Sequence, residues 1–144
     1  MLCATIGAVA ADPAQLVEAW RELLSRHARI SEALERELQR RHGLSVSELD
    51  ALQRLAETDH DGCRLQQLVE DVHMSQSALS RLVTRLEERG LVVRKACEAD
   101  RRGIFACLTE AGRERLAEAE PTQSEVLQRV LPEAGPSTRA ELPD

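Results

Sequence analysis

Aromatic side chains are nearly missing from this chain of 144 residues: there is no tyrosine, and Trp20 and Phe105 are the only large rings. A core without rings must be built from Leu, Val, Ile and Ala, and that supply favours helices. Long apolar runs are also missing. No stretch approaches the ~18 apolar residues of a membrane span, so no membrane partner is expected. The N-terminal run MLCATIGAVAAD imitates a signal peptide in its small-residue end. It is short and lacks a basic n-region, so it is not read as one. The cysteines are four (Cys3, Cys63, Cys97, Cys107), with no CxxC spacing and no dense framework. A reduced, cytoplasmic setting is the expectation. There is no Gly-rich phosphate loop, nucleophile elbow or recognisable triad, so the chain is not expected to be an enzyme. Glu57, Asp59 and Asp61 form an acidic turn that a solvated loop explains. His27, His42, His60 and His73 match no compact ligand set. A composite site of His60, Cys63 and His73 is the one metal arrangement to weigh, and no metal or cofactor is expected.

What is present is an uneven charge. The net charge is −6, which taken alone opposes a nucleic-acid partner. From Met74 to Arg102, however, Lys and Arg outnumber Asp and Glu by three, leaving −9 on the rest. A locally basic segment in an acidic chain fits a confined anionic contact. The segment opens with MSQSALSRLVTRLEERG (74–90). Ser75 is placed to N-cap a helix, Met74 and Leu79 fit a hydrophobic staple, and Gly90 stands where a left-handed cap is wanted. At about 100° per residue, Leu79, Leu82, Val83 and Leu86 share one arc. Ser77, Arg81 and Thr84 share the opposite arc, flanked by Gln76, Ser80 and Arg85. Hydroxyl, amide and guanidinium donors on a short exposed helix suit base edges in a major groove. An ordinary amphipathic surface helix is the plainer reading, and the neighbouring segments decide.

Taken in order, residues 1–12 read as a flexible N-terminus. Asp12 and Pro13 read as an N-cap and N1 proline opening a helix to about Arg41. Its apolar stripe is Leu16, Trp20, Leu23, Ile30, Leu34 and Leu38, with His27 in the seam. A stripe of that length exceeds what so small a domain can cover, so a partner helix from a second subunit is expected. Ser45-Val46-Ser47-Glu48 is a capping box for a second helix, to about Thr58, with Leu49, Leu52, Leu55 and Ala56 inward. After a turn at 59–62, a short helix from about Arg64 to Val72 presents Leu65, Leu68, Val69 and Val72. Two short helices joined by a tight turn, the second exposing polar donors, make a helix-turn-helix. Leu91–Cys97 and Ile104–Leu108 have strand composition around a charged tip. Thr109 can N-cap a last helix with Leu116, Ala119, Val126, Leu127 and Val130 as its stripe. Pro121 is expected to kink or break it. Residues 132–144 read as a short tail or truncated final helix.

These residues resemble the MarR family, the multiple antibiotic resistance regulators. The likeness is carried by SQSALSRLVTRLEERGLV (75–92), by Asp100-Arg101-Arg102, and by Leu108-Thr109-Glu110-Ala111-Gly112 at the family's D-x-R and L-T-x-x-G spacing. It implies a mainly α fold with a small β-hairpin, a winged helix-turn-helix flanked by long dimerisation helices. The likeness covers roughly residues 15–131 and implies one domain at 13–131, with a DNA-binding lobe at about 45–109 and dimerisation helices at about 13–42 and 110–131. It implies a homodimeric transcription regulator, a repressor of a pseudo-palindromic double-stranded DNA site, released by a small-molecule effector or an oxidant. Ser75, Gln76, Ser77, Ser80, Arg81, Thr84 and Arg85 would meet the major groove or its phosphates. Arg102 would enter the minor groove, with Asp100 holding its guanidinium. A plain solvated hairpin tip is the alternative for that pair. For the whole chain, the rival is a winged-helix protein-interaction module without sequence-specific DNA binding. Two departures stand out. The family's last dimer helix is usually longer than the stretch remaining after Pro132, so the expectation is either that residues 13–41 carry more of the dimer or that the dimer is weaker. The scarcity of aromatics argues against a pocket for aromatic ligands.

Buried structural cysteine is the commoner fate of such residues. Cys97, in sequence beside Lys95, Arg101 and Arg102, has the electropositive setting a redox-active thiolate needs. If it is the sensor, peroxide weakens DNA binding by the native chain and leaves Cys97→Ser unaffected in an electrophoretic shift assay. A Cys97→Ser variant with undiminished peroxide sensitivity removes Cys97 from this role.

Overall fold

The computed structural model describes residues 12–58, 62–96 and 103–131. Cys97, Asp100, Arg102, His60 and both chain ends therefore lie outside the described residues. The elements are α1 (Pro13–His42), α2 (Val46–Ala56), β1 (Cys63–Arg64), α3 (Leu65–Val72), α4 (Gln76–Glu88), β2 (Val92–Ala96), β3 (Ile104–Leu108) and α5 (Glu110–Val130).

Local signals set most of these boundaries. Asp12 accepts from Ala14 N–H ahead of Pro13, and α1 ends at Gly43 in the left-handed region. At α2 the capping box closes both ways: Ser45 Oγ accepts from Glu48 N–H, and Glu48 Oε2 accepts from Ser45 N–H, each at 3.0 Å. Glu35 of α1 adds a second carboxylate there, accepting from Val46 N–H at 2.8 Å. Anionic groups at the positive end of a helix dipole tie α1 to the start of α2. Met74 packs against the core, as a staple to Leu79 requires. His73 makes the tight α3–α4 turn with φ 54°. The first turn of α5 is capped by Thr109, whose Oγ accepts from Gly112 N–H at 3.0 Å and donates to Gly90 O at 2.6 Å.

The core gathers the inward faces of every helix. Leu38, Leu44, Leu49, Leu52, Leu68, Leu79, Leu82, Val83, Leu86 and Val126 are fully buried. α1 packs along α5, where His42 Nε2 and Thr122 Oγ1 lie 2.8 Å apart and Arg115 donates to the His42 carbonyl at 2.8 Å. Only the C-terminal half of the α1 stripe is used this way. Leu34 and Leu38 are buried, whereas Leu16, Trp20 and Leu23 are 57%, 60% and 64% exposed. His27 is exposed too, with Ser31 Oγ 3.4 Å from its Nε2.

Three expectations need correction. The sheet has three antiparallel strands in the order β1-β3-β2, where the sequence suggested a two-stranded hairpin. Cys63 pairs with Ala106 and Arg64 with Phe105, so these two residues are strand rather than turn and helix start. A dipeptide carries no period-2 pattern, and β1 exists only because β3 offers it an edge. Gly62 lets the chain come that close, with φ 85° and room for no Cβ: one would sit 2.3 Å from Cys107 Sγ. Next, Pro121 does not break α5, which runs unbroken from Glu110 to Val130. A proline removes one N–H, and here the Ala119, Thr122 and Val126 face stays buried around it, holding the helix together. Finally, β2 starts one residue late and Leu91 is not in the strand. Its backbone instead donates to Leu86 O at 3.0 Å and accepts from Thr109 N–H at 3.1 Å, closing α4 and opening α5.

Gly112 sits against that junction. A Cβ there would lie 2.1 Å from Leu91 O. Helix propensity alone favours Gly→Ala by about 1 kcal/mol, but the contact is with backbone that two hydrogen bonds hold. Gly112→Ala is therefore expected to destabilise the protein by about 1–3 kcal/mol, seen as a lower urea midpoint. A midpoint at or above that of the native chain would show that the α5–Leu91 junction is loose.

Candidate nucleic-acid interface

α4 positions the candidate residues. Its buried face, Leu79, Leu82, Val83 and Leu86, is at most 1% exposed. At about 1.5–3 kcal/mol per buried aliphatic side chain, this face dominates the seating of the helix. The opposite face points outward. Ser75, Gln76, Ser77, Ser80, Arg81 and Arg85 are exposed and Thr84 is half-buried. Ser77, Ser80, Arg81, Thr84, Arg85 and Glu88 line one open concavity of about 600 Å3. The structure thus brings five of the seven residues picked out from sequence to one concavity, while Ser75 and Gln76 are exposed at the start of the helix outside its lining. Asp100, Arg102 and Cys97 lie outside the described residues.

The members of this face are not equally available. Arg81 is exposed and has no ion-pair partner among the described residues. Ser75 is occupied at the cap, accepting from Ala78 N–H at 3.2 Å, with Ser77 Oγ 3.4 Å away. Arg85 leans back: its Nε lies 3.8 Å from Glu48 Oε1. Thr84 donates its hydroxyl to Ser80 O at 2.9 Å, inside its own helix.

Sequence reading missed three residues here. Glu88 places a carboxylate among the arginines of the same concavity. From sequence alone Glu48 is only a capping-box acid. It is buried, and beyond capping α2 it accepts from Arg89 Nη1 at 3.3 Å, so it ties α2 to the C-terminal half of α4. From sequence alone Arg94 is only one more charge of the basic segment. Its Nη2 donates to Ser80 O and to Thr84 Oγ1, each at 3.0 Å. Its backbone N–H donates to Glu87 Oε2 at 3.1 Å, and its Nη1 lies 3.6 Å from Glu87 Oε1. One signal could have found Arg94. It stands two residues after Val92 on one strand, so both share a sheet face, and Val92 is buried.

The other sites weighed from sequence fall only partly within the described residues. Burial pushes the Cys63 thiol up from its ordinary value, with the Asp71 carboxylate adding to it, so Cys63 stays protonated at neutral pH. Cys63 and Cys107 are both buried. Among the described residues no group of three His, Cys, Asp or Glu is arranged to hold a metal.

A helix-turn-helix whose second helix exposes donors, followed by a hairpin that reaches back onto that helix, is a winged helix. The comparisons with known proteins are more specific. The sequence model described as MarR family matches residues 42–103. The chain is 36% identical over 73 residues to the HTH-type transcriptional regulator MhqR of Bacillus subtilis (strain 168), a match spanning 50% of this chain and 48% of that regulator. It superposes on AbsC, a MarR family transcriptional regulator of Streptomyces coelicolor, with a TM-score of 0.75 and 36% identity over 80% of this chain and 77% of that one. It also superposes on Sco3205, another MarR family regulator of that organism, solved in complex with DNA, with a TM-score of 0.76 and 33% identity over 83% and 73% of the two chains. The chain belongs to the MarR family.

Glu48 offers a test of how the interface is held. Glu48→Gln keeps the shape and removes the charge that faces Arg85 and Arg89. It is expected to lower stability by about 1–2 kcal/mol, as a fall in urea midpoint with an unchanged denaturant slope. An unchanged midpoint would show that the carboxylate adds nothing to the seating of α4.

Proposed function

We propose that this protein is a dimeric transcription regulator that binds a pseudo-palindromic duplex site, acts as a repressor, and is released by a small molecule or an oxidant. The observation that carries the DNA reading is the outward face of α4. Arg81, without an ion-pair partner among the described residues, stands beside exposed Ser77 and Ser80 on a helix whose other face is locked into the core. Fixed donors on a rigid helix are what base-edge recognition requires. In this reading Ser75, Gln76, Ser77, Ser80, Arg81, Thr84 and Arg85 face the major groove or its phosphates. Arg102, oriented by Asp100, enters the minor groove from the hairpin tip. Sco3205, solved with DNA, supports the same use of the fold here.

The dimer rests on α1. Leu16, Val17, Trp20, Leu23 and Leu24 are all exposed by 47% or more along the N-terminal half of this helix. A second copy covering that stripe would set two α4 helices on one face of the duplex. Two-fold symmetry then places half-sites roughly 10 bp apart. The domain limits accord with the same reading, with a DNA-binding lobe at about 45–109 and dimerisation helices at about 13–42 and 110–131. No helix among the described residues is long and apolar enough to cross a membrane.

Salt-dependent duplex binding tests this. A regulator that displaces counterions from several phosphates is expected to show log Kd rising with log salt at a slope of several. Arg102→Ala is expected to weaken binding about tenfold or more, in line with the roughly 1–3 kcal/mol of a good specific contact. Duplex affinity that ignores both salt and Arg102 would favour a winged-helix module for protein partners.

A further inference from the structure

The hydroxyl of Thr84 is already committed within the protein, and under the DNA reading proposed above, on which this inference rests, that limits what its position can recognise. A threonine hydroxyl has one proton to donate and two lone pairs. In Thr84 the proton goes to Ser80 O at 2.9 Å, and the guanidinium of Arg94 occupies a lone pair at 3.0 Å. The same Arg94 Nη2 also donates to Ser80 O at 3.0 Å, so hydroxyl, carbonyl and guanidinium form a closed triangle. Glu87 fixes the base of the strap, accepting from Arg94 N–H at 3.1 Å with its other oxygen 3.6 Å from Arg94 Nη1. Thr84 nevertheless lines the outward concavity with Ser80 and Arg81. It therefore meets an incoming base with no free proton. What it has left is a methyl group and one lone pair.

We infer that Thr84 reads DNA through its methyl group, against the 5-methyl of a thymine, and that Arg94 is the positioning residue that enforces this by locking the hydroxyl onto the backbone of α4. Apolar contact with the thymine methyl is an established mode of major-groove readout. Arg94 acts from β2, so the strand that begins the hairpin also fixes the chemistry of the reading helix. A side chain expected from sequence to donate to a base edge becomes an apolar contact.

The test starts with the full native chain and a randomised duplex pool, from which a preferred duplex is selected. Each thymine of a half-site is then replaced in turn by deoxyuridine, which removes only the 5-methyl, and affinity is read by fluorescence anisotropy at fixed salt. One position per half-site is expected to weaken native binding about threefold to tenfold, the scale of one buried methyl. Thr84→Val keeps the methyl and is expected to show the same penalty. Thr84→Ser lacks it and is expected to show none. Arg94→Met keeps the aliphatic stem and is expected to shrink the penalty below about twofold, while thermal melting reports the fold. Glu87→Gln, which loosens the same guanidinium, is expected to shift the penalty in the same direction and serves if Arg94→Met does not fold. If no deoxyuridine position separates Thr84→Val from Thr84→Ser, methyl readout is overturned. If the penalty persists undiminished in Arg94→Met or Glu87→Gln, the positioning role of Arg94 is overturned. A native chain that enriches no duplex overturns sequence-specific DNA binding itself, and the first step alone reveals that outcome.

Discussion

The burial of one face of α4 is the constraint on which the rest of the molecule depends. Leu79, Leu82, Val83 and Leu86 are sealed inside, and no surface ion pair could replace them. Exposed ion pairs are worth about 0–1 kcal/mol each, against roughly 1.5–3 for each buried aliphatic group. The apolar face sets where the helix lies and which way it is rotated. Because the rotation is fixed, the same burial decides that Ser77, Ser80 and Arg81 look outward. The reading surface is the complement of the core.

Polar contacts then refine what the core has placed. Glu48 closes the N-terminus of α2 and reaches Arg85 and Arg89, so it bridges two helices that the core has already brought together. Arg94 does the equivalent from the sheet, with Ser80, Thr84 and Glu87. Leu91 joins the elements in sequence: its N–H finishes α4 and its carbonyl receives Thr109 at the start of α5. Gly112 is a consequence of that crowding, since its place against Leu91 O leaves no space for a side chain. The L-T-x-x-G spacing thus has a structural reason here: Thr109 caps the helix and the glycine lets the cap approach the strand entry.

Much of the fold was legible from residues alone. The four leucine and valine positions of α4, the box at Ser45 and Glu48, the caps at Asp12, Ser75 and Thr109, and the stop at Gly43 are all local events. Each is decided by residues within a turn of one another. The outward set on α4 was equally legible, being fixed by periodicity. What escaped depends on distant approach. β1 is two residues long and exists through its pairing with β3. Pro121 carries a strong local signal for a break that the α5 packing overrides. Arg94 and Glu48 look like ordinary charges until the strand and the second helix are set beside α4.

The sequence by itself determined most helix boundaries, their capping and the two-sidedness of α4, because these are settled by backbone hydrogen bonding and 3.6-residue periodicity over short spans. It also showed, in α1, an apolar stripe longer than one small domain can cover, half of which remains exposed. Only the tertiary structure decided how the outward side chains of α4 are used. Whether Thr84 donates to a base or to its own helix depends on an arginine ten residues on and a carbonyl four residues back, brought within 3.0 Å by packing. Hydrogen bonds fall off over fractions of an ångström, and sequence spacing carries no distance on that scale.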